Sequence, residues 1–122
     1  MSTATILDRT AKIIEIVWDA RAKPEDFDRV TKEVQTFSQE LGGSFDVIVD
    51  MRTVKAFMPE SQGKLVEHQK ALMDYGMKRA AVIVAGAIAK MQLKRTAKEA
   101  LHSTESHWES YEEALLFLKN NH

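Results

Sequence analysis

The chain contains no cysteine. This absence excludes disulfide bonds, cysteine nucleophiles and cysteine-ligated metals, and it is compatible with the reducing cytoplasm. No apolar run approaches the roughly 20 residues that a membrane-spanning helix needs. The first residues show neither a basic leader nor a long apolar core, so we expect a cytoplasmic protein without a signal peptide.

An excess of charge of either sign is also lacking. The 122 residues include 17 Lys and Arg against 18 Asp and Glu, which gives a net charge of −1. No global field attracts nucleic acid, and aromatic residues do not interleave with the basic ones, so we expect no nucleic-acid partner. Hydrophobic residues make up 44% of the chain and no linker or repeat divides it, which predicts a single domain over residues 1–122.

Chemical motifs are scarce as well. The glycine at Gly86 precedes a predicted helix but lacks the second glycine and the Lys-Ser/Thr pair of a phosphate loop. The histidines do not have the spacing of a zinc site, and His102 and His107 would face opposite sides of a predicted strand. His68 is interpreted as a solvated or capping side chain. We expect no metal and no cofactor from the four histidines, which are His68, His102, His107 and His122.

Strand patterns recur along the chain. The segment Phe45–Arg52 (FDVIVDMR) is an almost unbroken apolar run that ends in charged residues, which is typical of a strand buried on both faces of a parallel sheet. The β-branched run 13–18 (IIEIVW) predicts a strand that forms a hairpin with an N-terminal strand around Ala4 and Ile6. Residues 77–85 predict a further buried strand, and residues 102–108 a polar edge strand.

Helix patterns separate these strands. Pro24 begins a helix with an apolar stripe from Phe27 onwards, and a glycine pair ends it. Further helices are predicted from Pro59, over residues 87–100, and after a capping box formed by Ser110 and Glu113. The order predicts an α/β fold, with a mainly parallel sheet of four strands in sequential order, alternating helices and an N-terminal hairpin strand.

Three segments carry a resemblance to a known family. They are the strand FDVIVDMR, which closes in Asp-x-Arg, the strand KRAAVIVAG at residues 78–86, and the helix start WESYEEALLFL at residues 108–118. Over nearly the whole chain these patterns resemble the SpoIIAA-like, or STAS/SEC14-type, small domains. The resemblance implies a four-turn β–α superhelix and a non-enzymatic regulatory or binding module. Some relatives bind an anti-sigma kinase, and others hold lipids.

The phosphorylated members of that family carry a serine in an Asp-Ser-(Ser/Thr)-Gly context after the second parallel strand. This chain departs from the pattern, because Asp50 is followed by Met51, Arg52 and Thr53, and no glycine appears until Gly63. The phosphoserine switch is therefore not carried over. The hydroxyls nearest to that position are those of Thr53 and Ser61.

Asp50 lies at the carboxyl end of a strand, where open α/β sheets place functional groups. The alternatives for its carboxylate are a binding role, a cap on the following loop, or a pair with Arg52 or Lys55. The apolar residues Phe57 and Met58 follow it. Together with the neighbouring methionines they either fill the core or line a cleft for a small lipophilic ligand.

A basic row is predicted on the third helix. Lys90, Lys94 and Lys98 recur every four residues and therefore share one helix face. The alternatives are a solvated face, a surface for an acidic partner, and contact with anionic lipid headgroups at a membrane periphery. Acidic residues between Glu105 and Glu113 could instead satisfy the row, within the molecule or across a homodimer.

Three functional hypotheses follow from these patterns. The first is a regulatory or protein-binding module, and the second is a carrier or sensor of a small apolar ligand. The third, an enzyme with Asp50 and His68 as an acid–base pair, has little support because no other polar group is predicted to converge on them. The residues predicted to contact a partner or ligand are Asp50, Arg52, Thr53, Phe57, Met58, Lys90, Met91 and Lys94.

Overall fold

The computed structural model describes residues 2–120, so His122 lies outside the described residues. Within this range the chain forms one five-stranded sheet and four helices. The strands are β1 (Thr3–Asp8), β2 (Ile13–Val17), β3 (Phe45–Asp50), β4 (Met77–Ile83) and β5 (Glu105–Trp108). The helices are α1 (Pro24–Glu40), α2 (Pro59–Asp74), α3 (Ala87–Glu99) and α4 (Tyr111–Asn120).

The strands lie in the sheet in the same order as in the chain. β1 pairs antiparallel with β2, and every later pair is parallel. The predicted α/β class, with its parallel strands in sequential order and its N-terminal hairpin, is confirmed. The bounds differ most at β5, which begins at Glu105 rather than at His102.

The helices divide unequally between the two faces of the sheet. Right-handed crossovers between sequential neighbours place α1, α2 and α3 on the same face. The helix α4 follows the last strand and is free to cover the other face. Alternation along β3 therefore points Val47 and Val49 into the cluster with the first three helices, and Ile48 into the cluster with α4.

The core is centred on β3, which has a neighbouring strand on each side. Phe45, Val47 and Ile48 are each at most 2% exposed, as a strand buried on both faces requires. The stripe on α1 packs onto it, since Phe27 and Val30 are buried as well. Each such side chain stabilises the fold by roughly 1.5–3 kcal/mol relative to exposure.

The first helix begins and ends on the local signals that predicted it. The Asp26 carboxylate accepts a hydrogen bond from the Lys23 N–H at 2.9 Å, and Pro24 occupies the first turn. Gly42 and Gly43 end the helix with φ of 85° and 84°, a conformation that favours glycine. None of the helices in residues 2–120 has the length and apolar character needed to cross a bilayer.

Gly76 provides a test of how closely the turn between α2 and β4 approaches the turn that follows α1. It joins α2 to β4 with φ of 109°, and a Cβ atom there would lie 1.9 Å from the carbonyl oxygen of Gly43. Since backbone rather than a flexible side chain blocks the space, we expect Gly76→Ala to lower the free energy of unfolding by at least about 2 kcal/mol. Urea denaturation measures the change.

The matched control is Gly63→Ala within α2, where an added Cβ meets nothing within 4 Å. That substitution should raise the free energy of unfolding by about 0.5–1 kcal/mol, because alanine is the better helix former. Equal effects of the two substitutions would contradict the close approach of Gly76 to Gly43.

Candidate functional site

The carboxylate of Asp50 is paired with Arg52. The Nε and Nη2 atoms of Arg52 donate to the two carboxylate oxygens at 3.0 and 2.8 Å. This hydrogen bonding lowers the pKa of Asp50 below its ordinary value. The same guanidinium lies 5.8 Å from the ring centroid of Tyr111 in α4. Of the alternatives that the sequence left open, the structure contains both the pair with Arg52 and a cap on the following loop, since the Arg52 N–H donates to the Asp50 carboxylate at 3.2 Å.

Tyr111 fixes the start of α4 to the sheet. Its hydroxyl donates a hydrogen bond to the carboxylate of Glu15 in β2. Burial, together with this hydrogen bond, raises the pKa of Tyr111. The polar residues at the carboxyl end of the sheet therefore hold α4 in place.

A second arginine holds the other end of α4. Arg79 of β4 donates to the Asp46 carboxylate at 2.7 Å and to the Leu118 carbonyl at 2.9 Å. Its guanidinium carbon lies 5.3 Å from the ring centroid of Phe117. Asp46 is mostly buried, so the ion pair compensates a carboxylate that would otherwise be costly at this position.

The two candidate phosphorylation sites differ in accessibility. Thr53 is exposed, and its hydroxyl donates to the Trp18 carbonyl at 3.4 Å. Ser61 is fully buried, and its hydroxyl donates to the Ala22 carbonyl at 3.2 Å. A kinase would therefore reach Thr53 but not Ser61 in the folded chain.

Phe57 and Met58 lie in different environments. Phe57 is a core residue whose ring centroid is 6.0 Å from that of Phe27, whereas Met58 is 51% exposed. The side-chain amide of Gln92 in α3 accepts from the Phe57 N–H at 2.7 Å and donates to its carbonyl at 3.1 Å. These bonds attach the loop before α2 to α3, so that Met58 belongs to the surface beside α3.

An interior cavity of about 30 Å³ lies between the sheet and the helices α2 and α3. This is about the volume of a single water and is too small for an acyl chain. Met77 lines it, but Phe57 and Met58 do not. The lipophilic-ligand hypothesis therefore stays a prediction to which this cavity adds no support.

The prediction for His68 is wrong, because the side chain is buried rather than solvated. It is 5% exposed and packs edge-on against Trp18, with ring centroids 5.2 Å apart. Its Nδ1 lies 2.7 Å from the Thr31 hydroxyl, which itself donates to the Phe27 carbonyl. Nδ1 must therefore carry the hydrogen of a neutral ring, and burial lowers the pKa of His68 to about 3.

The structure does not bring His68 and Asp50 together. His68 lies among the helices on one face of the sheet, whereas Asp50 contacts Arg52 and, through it, α4 on the other face. A helical signal could have placed His68 correctly. It follows Leu65 by three residues and precedes Leu72 by four, which puts all three on the buried side of α2.

A groove of about 740 Å³ lies between α3 and the segment that leads into β5. The row Lys90, Lys94 and Lys98 lines one side of it, and Glu105 and His107 line the other. We call this feature the basic groove. Its volume is in the range of small-molecule and peptide sites.

The lysines of the basic groove have no ionic partner within residues 2–120, where the lysines in ion pairs are Lys64 and Lys119. Glu105 forms no ion pair with them. Its side chain is 6% exposed, and it accepts hydrogen bonds from His107 Nε2 at 2.8 Å and from Gln69 Nε2 at 3.2 Å. The positive charge of the groove is therefore available to a partner.

His102 lies at the floor of the groove and not on the strand. The prediction that His102 and His107 face opposite sides is wrong, because β5 begins at Glu105 and its alternation does not extend to His102. His102 Nε2 is 3.9 Å from the Glu105 carboxylate, too far for a hydrogen bond, and neither ring nitrogen has a hydrogen-bond partner among the described residues. Burial lowers the pKa of His102.

In the described range, no three His, Asp or Glu side chains are arranged to hold a metal ion.

Leu101 forms the apolar rim of the groove. It is 85% exposed and has φ of 58°, a left-handed conformation in which a leucine is strained. The N–H of His102 donates to the Ala97 carbonyl at 2.8 Å and closes the end of α3 around it. An exposed leucine at a position that suits glycine is a candidate contact residue, and the sequence did not reveal it.

Comparisons with known proteins assign no family, since no family model, curated protein or solved structure matches the chain. The SpoIIAA-like resemblance stays a prediction.

The burial of neutral His68 predicts a pH dependence of stability. Its pKa is about 3 in the folded chain and about 6.5 when unfolded, so its contribution is complete above pH 6.5 and is lost as the pH falls toward 3. Replacing it by His68→Phe should reduce the loss of unfolding free energy between about pH 7 and pH 4.5 by about 2–3 kcal/mol. Urea denaturation at both pH values measures this difference.

His102 is present in both proteins and therefore cancels in the comparison. An equal acid-induced loss in the parent protein and in His68→Phe would show that His68 is not held neutral in the core.

Proposed function

We propose that this chain is a regulatory or protein-binding module that docks an acidic partner in the basic groove. One observation carries the proposal. Three lysines on one helix face line a concave surface and have no carboxylate partner among the described residues. Charges of one sign along a groove raise the local concentration of oppositely charged partners and speed their association.

Exposed apolar residues on α3 and at the groove rim favour a protein partner. Ile88 and Met91 on the outer side of α3 are 61% and 71% exposed, and Leu101 at the groove rim is 85% exposed. Exposed methionine adapts its shape to different contacts, and apolar anchors supply affinity that rim charges alone do not. A protein surface can satisfy both groups at once.

The proposed surface includes only part of the set predicted from the sequence. Lys90, Met91 and Lys94 belong to it, whereas Gln92 attaches the loop of Met58 to the flank of α3 away from the lysines. Asp50 and Arg52 have another role in this proposal, which is to hold α4. They are paired on the opposite face of the sheet.

The first test reverses the charge of the groove. Pull-down with the immobilised variant Lys90→Glu/Lys94→Glu/Lys98→Glu should capture acidic partners from an extract of the source cells at least about tenfold less than the parent protein, because attraction becomes repulsion. Quantitative mass spectrometry of the captured proteins measures the loss, and circular dichroism verifies the fold.

The matched control reverses three exposed lysines elsewhere, in Lys32→Glu/Lys70→Glu/Lys78→Glu. This variant has the same net charge and should retain the partners. An equal loss in both variants would show that only net charge matters, and retention in both would reject the groove.

A second test separates stability from binding at Leu101. The substitution Leu101→Gly relieves a strained left-handed residue and should raise the free energy of unfolding by about 0.5–1 kcal/mol. The same change removes an exposed apolar contact and should weaken capture of the partner severalfold. Urea denaturation and quantitative pull-down give the two readouts.

The control is Leu116→Ala, which removes an exposed apolar side chain from α4 and should leave capture unchanged. A Leu101→Gly protein that is more stable and captures the partner as well as the parent protein would remove Leu101 from the docking surface.

A further inference from the structure

The outer edge of β5 lies beside the basic groove. β5 ends the sheet, and within residues 2–120 no strand pairs with its outer side. An open edge of this kind can receive an extended segment as an additional strand. Its side chains Glu105 and His107 line the groove, so a segment added to this edge would lie beneath the lysines of α3.

The hydrogen-bond ladder identifies the free backbone groups. Ala80 N–H donates to the Thr104 carbonyl at 3.2 Å, and Val84 N–H donates to the Trp108 carbonyl at 3.1 Å. Alternate residues of a parallel strand bond to the same neighbour, so Thr104, Ser106 and Trp108 bond to β4. The N–H and C=O groups of Glu105 and His107 therefore point outward, and offer two donors and two acceptors.

The spacing of the lysines matches an extended partner. Successive lysines four residues apart on α3 are separated by about 6 Å along the helix axis. Every second residue of a strand lies on the same side at intervals of about 6.6 Å. Over two repeats, the span of the lysines along the helix and the span of the facing residues along the strand differ by only about 1 Å. Flexible lysine side chains can adjust to this mismatch. A crossover helix runs back along its strands, so the row follows the direction of the edge.

We infer that the partner docks as an extended segment with an acidic residue at every second position, which adds a sixth strand to the edge of β5 and places its carboxylates against Lys90, Lys94 and Lys98. The inference rests on the proposed function and specifies the partner. The lysines supply charge complementarity, and the backbone groups of Glu105 and His107 supply the pairing. The carboxylate of Glu105 is buried and accepts hydrogen bonds from His107 and Gln69, which reduces its repulsion of the segment.

The experiment uses the full chain labelled with ¹⁵N and a synthetic peptide of repeated Glu-Val pairs. We expect the peptide to bind and to slow hydrogen exchange of the Glu105 and His107 amides at least about tenfold, because these N–H groups become hydrogen-bonded. The Ser106 and Trp108 amides, which already bond to β4, serve as internal controls and should not change. The variant Lys90→Glu/Lys94→Glu/Lys98→Glu should lose binding at least about tenfold.

Two peptide controls test the strand geometry. For a peptide of three Glu-Val pairs, the version with all glutamates grouped together should bind severalfold more weakly, since only two of its three carboxylates would then face the lysines. N-methylation removes backbone donors on one edge. Of two peptides methylated on either the Glu or the Val residues, only the one that blocks the edge facing β5 should lose binding.

Each other outcome overturns the inference in a distinct way. If binding depends on the lysines but the grouped peptide binds equally and the Glu105 and His107 amides stay unprotected, strand addition is wrong and the proposed function stands. If the peptide does not bind, or binds without dependence on the lysines, the inference fails. If partner capture is also unaffected by reversal of the lysines, the proposed function fails with it.

Two other occupants of the groove and the β5 edge would each give a distinct experimental result. If light scattering shows a dimer and the Glu105 and His107 amides are protected without peptide, a second copy of the chain occupies the edge. If vesicles of phosphatidylcholine and phosphatidylserine bind through the lysines and the peptide does not, the groove contacts a lipid surface. Either result rejects the acidic segment as the partner.

Discussion

The order of the strands is the constraint on which the rest of the structure depends. Because each strand of the parallel set pairs with its neighbour in the chain, every crossover has the same hand and places its helix on the same face. Three helices therefore cover one face. On the opposite face, which carries Ile13, Ile48 and Ile83, α4 is the one helix within residues 2–120 that excludes water.

This asymmetry explains why charged residues occur on a central strand. A helix of 10 residues cannot cover the whole face, so the ends of β3 on that side carry Asp46 and Asp50. Each carboxylate is held by an arginine whose guanidinium also lies over an aromatic ring of α4. The aliphatic part of each arginine extends the apolar cover, while its head satisfies a carboxylate that is costly to bury alone. Asp50, the residue that looked most like a functional group, thus contributes to the contacts that hold α4.

Local signals predicted those features that local physics determines. The run at Phe45–Asp50, the proline at the start of α1 and the glycines at its end specify their structure without reference to distant residues. Residues whose role depends on tertiary packing could not be assigned in this way. His68 looks polar beside Glu67, and only the position of α1 against α2 shows that its ring is enclosed. The spacing of the lysines likewise predicted a shared face, but the opposite wall of the groove forms from a segment with weak strand propensity.

The low strand propensity of β5 has two consequences. A strand of four residues, three of them polar, with two outward backbone positions is a poor template for unspecific edge pairing, which protects the sheet from aggregation. For the same reason backbone pairing alone gives a partner little affinity. Additional energy must come from side chains, and the charged side chains that line this groove without an ionic partner in the described chain are the lysines of α3. An edge built in this way excludes neutral and basic segments and admits acidic ones, so the feature that prevents aggregation also provides the selectivity of the proposed docking site.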